Sequence, residues 1–296
     1  MLRALLVFLL ASAALTPMPA TDAQGILHVE RSSPGDLELG GELVGVPPGA
    51  TRYVRYEDLL QLPQETYTVN DDVNFAHGTV IGGVALDLLA KQFARAPGSA
   101  LIVAICDDKY RSNYPREYLS IHHPLLVLRI NGQLRDRWPQ ASEGGSLAPY
   151  LISHPYFKPA YKVLSHDDEP QIPYGVVRIE FRRESVVFGA IRPGSEWREN
   201  ERVQQGFIIA RQDCFRCHNM GAQGGTKAGS SWLKLGEDAR RDPRRFHDMI
   251  RDPASVKPDS KMPPQSAYDD ATLSALTAYF RNFSPAASKS GRNPNP

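Results

Sequence analysis

The sequence predicts a multidomain protein in which a mixed α/β domain is followed by an all-α one. Three observations predict this. Residues 24–183 carry short apolar runs separated by Gly, Pro and Asn turn residues, the pattern of short strands and helices. Residues 200–284 instead place apolar residues at helical spacing. Between them, residues 184–199 combine several charges with Pro193 and Gly194, which reads as a linker. A length of 296 residues suits about two domains.

The elements follow in order. Residues 1–23 form a leader with Arg3 near the start, an apolar run over 4–15 and small residues around Ala23, which predicts a secretory signal peptide and a periplasmic protein. That run is too short to cross a hydrocarbon core of about 30 Å, no cysteine follows it to carry a lipid, and no later stretch approaches a membrane span. Residues 36–46 alternate as a strand, and 56–62 (YEDLLQL) read as a short helix stopped at Pro63. Residues 84–93 place Leu86, Leu89 and Phe93 at helical spacing. The wholly apolar run 101–106 (LIVAIC) predicts a strand buried on both faces. Residues 125–130 followed by Asn131-Gly132 predict a strand and a type I′ turn, and 174–181 is the last strong strand. In the C-terminal part, 200–212 and 269–283 are amphipathic helices, Gly206 suits their close crossing, and Asp242-Pro243 starts a helix ending before Pro253. Residues 285–296 lack apolar anchors and predict a disordered tail.

Hydrophobic residues make up 42% and charged residues 23%, ordinary for a soluble protein, and the net charge of +1 argues against nucleic acid as a partner. The charge is uneven: residues 197–296 hold 16 Lys+Arg against 11 Asp+Glu, so the remainder is acidic. Either the two parts attract each other or the basic one faces an acidic partner. Three cysteines are too few for a disulfide framework, and two of them lie in one motif.

That motif is Cys214-Phe215-Arg216-Cys217-His218, the C-x-x-C-H attachment signature of c-type haem. Two thiols separated by two residues reach the two vinyl groups of one haem edge, and the adjacent histidine then lies under the iron. One covalent haem is expected, with Cys214 and Cys217 as thioether residues and His218 as proximal ligand. Zinc would need further Cys/His ligands nearby, and a thioredoxin-like dithiol should follow a strand, whereas a helical pattern precedes this motif. Met220 is tethered to the proximal side, and Met249 lies inside a short helix beside Phe246 and Ile250, where it is expected to pack. Met262, 44 residues after His218 on a loop stiffened by Pro263 and Pro264, is the expected distal ligand.

Over residues 197–284 the chain resembles the class I cytochrome c family, through the Gly206-Phe207 helix, Cys214 to His218, Gly229 with Trp232 to Leu235, the Met262-Pro263-Pro264 loop and the C-terminal helix through Tyr279. The resemblance implies a helical monohaem domain that transfers single electrons, with His218 and Met262 axial. Where the family usually has Gly-Pro, its proline carbonyl orienting the proximal histidine, this chain has Gly229-Ser230.

The third cysteine, Cys106, ends the apolar strand and precedes Asp107, Asp108 and Tyr110. It reads either as a buried, inert thiol or as a thiolate metal ligand. Residues 56–63, 78–89, 103–110 and 124–133 together resemble the molybdopterin-binding domain of sulfite-oxidase-type oxidoreductases, over about 34–182. The resemblance implies molybdopterin as a cofactor, Cys106 as molybdenum ligand and a small oxyanion substrate; Arg111 and Arg116 are the near arginines. His77, His122, His123 and His247 are expected at surface or hydrogen-bonding positions. No nucleophile-base motif or glycine-rich phosphate loop is present.

The primary expectation is therefore an exported monohaem cytochrome that passes single electrons to redox partner proteins, its N-terminal domain binding a partner or cofactor. The alternative is a molybdenum-dependent dehydrogenase whose own cytochrome domain accepts the electrons. A third is a module that carries haem for delivery or sensing.

Overall fold

The computed structural model describes residues 23–142 and 144–283. Apart from Ala23, the expected leader lies outside the described residues, as does the expected tail over 285–296. No helix among the described residues is long and apolar enough to cross a membrane.

The N-terminal part is mixed α/β. Its first elements are β1 (Leu37–Gly41), β2 (Arg52–Val54), α1 (Tyr56–Leu59), β3 (Glu65–Val69), β4 (Thr79–Ala85) and α2 (Leu86–Phe93). Then come β5 (Ala100–Cys106), β6 (Arg111–Tyr114), α3 (Arg116–His122), β7 (Leu125–Ile130) and β8 (Leu151–Ser153). The short pair β9 (Lys162–Val163) and β10 (His166–Asp167) precedes β11 (Val176–Arg183). Two sheets result: a five-stranded one ordered β2-β1-β11-β5-β6 and a four-stranded one ordered β3-β4-β7-β8. Only β1 and β11 pair in parallel in these two sheets. Asn131 and Gly132 both take positive φ (49° and 75°), as a type I′ turn demands. The returning chain, however, pairs only at the Ile130–Gln133 bridge before a 3-10 turn at Arg135–Arg137, so no long hairpin forms.

Residues 184–199, read from sequence as a linker, fold as α4 (Glu184–Val187) and two 3-10 turns, and bury Val187, Phe188 and Ile191. The helices that follow are α5 (Glu201–Gln212), α6 (Trp232–Arg241), α7 (Pro243–Arg251), α8 (Pro253–Val256) and α9 (Asp270–Asn282). Asp242 caps α7 as the sequence indicates, and Asn200 and Asp269 cap α5 and α9; the three side chains accept from the backbone N–H groups of Arg245, Val203 and Thr272. This part is not purely helical, because Asn219–Met220 and Gln223–Gly224 pair as a small antiparallel ladder, β12 and β13, directly after the haem motif.

Strand β5 joins the two parts. Ile102, Ala104 and Cys106 enter the core of the α/β part with α2 and β7 residues, while Leu101 and Val103 enter a second core with Phe188, Phe207, Phe215, Trp232 and Phe280. Successive side chains of a strand point to opposite faces, so an unbroken apolar run is what a strand shared by two cores requires. In the second core α5 crosses α9 at Gly206, where a Cβ would lie 2.1 Å from the Ala275 carbonyl oxygen and 2.8 Å from Tyr279 Cβ. Gly206→Ala must push these helices apart, and overpacking of this kind costs about 1–3 kcal/mol. Thermal unfolding should show a lower midpoint for Gly206→Ala, whereas Arg202→Ala on the exposed side of α5 should leave it within error.

Candidate functional site

The helix α5 ends at Gln212 and the chain tightens into a 3-10 turn at Cys214–Arg216, held by Cys217 and His218 N–H groups donating to the Cys214 carbonyl at 3.2 and 2.9 Å. The motif thus follows a helix, as the sequence indicates. Cys214 and His218 line a cleft of about 880 Å³ whose apolar lining includes Leu235, Phe246, Ile250 and Phe280. Met262 lines it too. Met249, expected to pack within its helix, is instead also a lining residue, so two thioethers reach the cleft. Met220 lies in β12 and is not among the lining residues. Cys217 is likewise not among them; the charges acting on its thiol are those of Lys227, Arg216 and Asp108. No disulfide joins Cys214 to Cys217, and burial raises both thiols, most strongly Cys214, unlike the depressed thiol of a reactive dithiol pair.

The donor set fits a haem. His218 Nδ1 donates to the Ser230 carbonyl at 2.7 Å, which fixes the ring and leaves Nε2 as the nitrogen available to a metal. Burial pushes the His218 pKa down, keeping the imidazole neutral and its lone pair available. The orienting contact comes from the backbone carbonyl of Ser230 and needs nothing of its side chain. The cleft is apolar except along one edge, where Lys234, Asp238, Arg241 and Arg245 gather at the α6–α7 corner. An apolar slot suits a flat macrocycle, and its polar edge sets three cations, Lys234, Arg241 and Arg245, against Asp238 and Asp242, with Lys234 and Arg241 paired to Asp238 at 2.5 and 2.7 Å.

Cys106 lies elsewhere. It ends β5, is 4% exposed, and lines a second cavity of about 820 Å³ together with Asn74, Asp108, Tyr110, Arg216 and Lys227. Burial pushes its thiol far up, with Asp108 and Asp107 adding to the shift, so the sulfur is held as a thiol. A sulfur donor at a cavity is what a metal ligand requires. The cations at this cavity, however, are engaged: Lys227 pairs with Asp108 at 2.5 Å, and Arg216 reaches Glu169 at 3.3 Å and Asp213 at 3.5 Å. Of the arginines near Cys106 in sequence, Arg116 pairs with Asp87 and Arg111 donates to the Ala222 carbonyl at 3.1 Å. An anionic pterin cofactor would compete with these contacts.

The two sites adjoin through the haem segment itself. Arg216, inside the motif, lines the Cys106 cavity together with Tyr110, while Thr226 N–H donates to the Lys109 carbonyl at 3.1 Å. The β5–β6 turn therefore docks against the loop carrying the haem motif.

The four histidines singled out in the sequence take surface or hydrogen-bonding positions, as expected, with His77 and His123 exposed. His122 is buried at the end of α3 and bonds Asp168 at 2.9 Å; His123 takes the left-handed C-cap position, and His247 is half-buried on α7. His166, not singled out in the sequence, is 1% exposed and groups with Glu169 and Asp213, three side chains whose donor atoms lie within 4.8 Å of one another. Arg216 lies 3.3 Å from Glu169 and 3.5 Å from Asp213, so the cluster carries a cation of its own. The sequence hint was the polar run Ser165-His166-Asp167-Asp168-Glu169 in a domain otherwise built on apolar runs.

No family model matches the chain, and no curated protein matches it. Among solved structures the chain is similar to the sulfane dehydrogenase SoxCD from Paracoccus pantotrophus, at 15% identity and a TM-score of 0.34. The match covers 52% of this chain and 40% of that one.

Because burial holds Cys106 as a thiol, it should resist alkylation by iodoacetamide at pH 8 in the native protein and react fully once denatured. Peptide mass analysis of the two samples checks this; native labelling at the denatured rate would contradict the burial argument.

Proposed function

We propose that this chain is an exported c-type cytochrome with one covalent haem, which passes single electrons between redox partner proteins. The observation that carries the reading is the placement of His218 on the wall of an apolar cleft, its Nδ1 committed to Ser230, with thioethers of the same cleft available as second ligand. When bound, haem supplies a one-electron Fe(III)/Fe(II) couple. The chain's own part is to present a neutral imidazole, to surround the macrocycle with Phe246, Ile250 and Phe280 and so limit water, and to meet its carboxylates with the polar α6–α7 edge. Export rests on the leader of residues 1–23, and attachment on Cys214 and Cys217. Met262 is the proposed distal ligand over Met249: it sits on a proline-bounded loop and packs against the helical core.

A second reading, a molybdenum-dependent dehydrogenase acting on a small oxyanion, rests on the Cys106 cavity and its contact with the haem segment through Arg216.

Purification from a host that exports proteins and matures c-type haem should give one iron per chain and an intact mass increased by one haem. A protein without iron would overturn the cytochrome reading. Molybdenum approaching one per chain, lost in Cys106→Ser, would establish the second reading; iron alone, from a host that makes the molybdenum cofactor, would reject it. Met262→Ala should convert the low-spin haem spectrum to a high-spin one, whereas Met249→Ala should keep it, and the reverse pattern would reassign the ligand.

A further inference from the structure

A third cleft, of about 570 Å³, lies where β6 and α3 meet the end of α5, and it shares no lining residue with the haem cleft or the Cys106 cavity. Among its lining residues are a buried imidazole and a buried carboxylate, His122 and Asp168, 2.9 Å apart. Burial alone would raise the Asp168 carboxyl, but hydrogen bonds from His122, the Ala160 N–H and Gln212 hold it below the usual carboxylate range. Ala160 N–H and Gln212 Nε2 donate to it at 3.2 and 2.6 Å. A carboxylate brings no hydrogen to a bond, so His122 Nε2 donates to Asp168 Oδ2. The neutral ring then keeps Nδ1 as an acceptor, and Nδ1 has no hydrogen-bond partner among the described residues. The ring cannot swing to find one, because Tyr118 and Phe157 flank it with centroids 4.4 Å away on each side.

The positive charge of the cleft comes from Arg211, half-buried in the last turn of α5. Its guanidinium is held against aromatic rings, 5.0 Å from the Phe188 centroid and 5.8 Å from that of Phe207. No carboxylate among the described residues pairs with it, whereas Arg216, one turn further on, lies near both Glu169 and Asp213. A planar guanidinium fixed by rings and left without an anion suits the two oxygens of a carboxylate. Glu117 also lines the cleft and opposes a second negative charge on the ligand. Pro115, Ile121 and Phe188 give it an apolar wall.

We propose that this cleft binds a small hydroxy acid: its single carboxylate pairs with Arg211, its hydroxyl donates to His122 Nδ1, and its hydrocarbon body lies against Pro115, Ile121 and Phe188. The site goes beyond the electron-transfer reading and does not depend on it, because none of its groups is a proposed haem ligand. Asp168 and the flanking rings are positioning groups, which set the tautomer and the plane of His122 before a ligand arrives.

Mandelate and phenylacetate are suitable probes, since they differ only in the hydroxyl. Isothermal titration calorimetry of the purified full chain at pH 8, above the ordinary imidazole range, should give one mandelate per chain, with phenylacetate bound about tenfold more weakly. Arg211→Gln should weaken both acids by about tenfold or more. Arg202→Gln, on the exposed side of the same helix, should bind as the wild type does. His122→Phe should lose the preference for mandelate while keeping the affinity for phenylacetate. That variant strands a buried carboxylate, so the wild-type chain supplies a second readout: the ¹⁵N signal of His122 Nδ1 should shift on addition of mandelate and stay in place with phenylacetate. No binding of either acid at millimolar concentration, equal binding of the two, an unmoved Nδ1 signal at saturating mandelate, or wild-type affinity in Arg211→Gln would overturn the site.

Discussion

Strand β5 is the constraint on which the rest of the structure depends. Its seven residues are shared between two apolar cores, Ile102 and Ala104 facing one and Leu101 and Val103 the other. A strand with one wet face tolerates polar residues at alternate positions; this one tolerates none, because removing either core would expose a continuous row of large apolar side chains. The helical part is therefore not hung on the sheet by a flexible tether. Residues 184–199 turn back along β11 and pack Val187, Phe188 and Ile191 into the second core, with the Phe188 and Phe215 rings 6.3 Å apart between centroids.

From that shared strand follows the adjacency of the two sites. Cys106 is the last residue of β5, and the turn after it, through Asp108 and Tyr110, is what meets Arg216 and Lys227. Arg216 illustrates how a buried cation is tolerated: its guanidinium lies near Glu169 and Asp213 and its Nε donates to the Gln212 carbonyl at 2.7 Å, so partners surround it. The same contacts fix the two x positions of the haem motif differently. Phe215 anchors the segment in the helical core and Arg216 anchors it in the α/β part, leaving the thiols and His218 in the turn between two packed surfaces.

Features encoded over a few residues were legible in the sequence. The Asp242 cap, the Asn131-Gly132 turn and the two-faced strand each depend on local chemistry: a side-chain oxygen before a helix, positive φ, and an apolar run without alternation. What was not legible depends on chain segments meeting. The cluster of His166, Asp213 and Tyr268 brings together residues more than forty positions apart, and nothing in the neighbourhood of any one of them announces the other two. Met249 escaped for a related reason. Helical spacing places it beside Phe246 and Ile250, but whether that face meets a core or a cleft is decided by α6 and the Met262 loop. The polar junction residues 184–199 were misleading because their charges lie exposed while Val187, Phe188 and Ile191, spaced at three and four residues, do the packing.

The cleft itself changes how the stability of the helical part should be understood. Phe246, Ile250 and Phe280 belong at once to the second core and to the wall of the 880 Å³ cleft. A macrocycle filling it would bury those walls and oppose its carboxylates to the α6–α7 edge. A covalent ligand that packs only in the folded helices shifts their folding equilibrium toward the native state, by the ordinary logic of a ligand that binds the folded form. In the α/β core Leu37, Leu39, Leu126 and Ile179 are fully buried, and its opening lies at the edge, where Cys106 meets the second cavity. Ligand-dependent stability should therefore be concentrated in α6 to α9, the elements around the cleft, while β5 carries its effect into the sheet through Leu101, Val103 and Ile105.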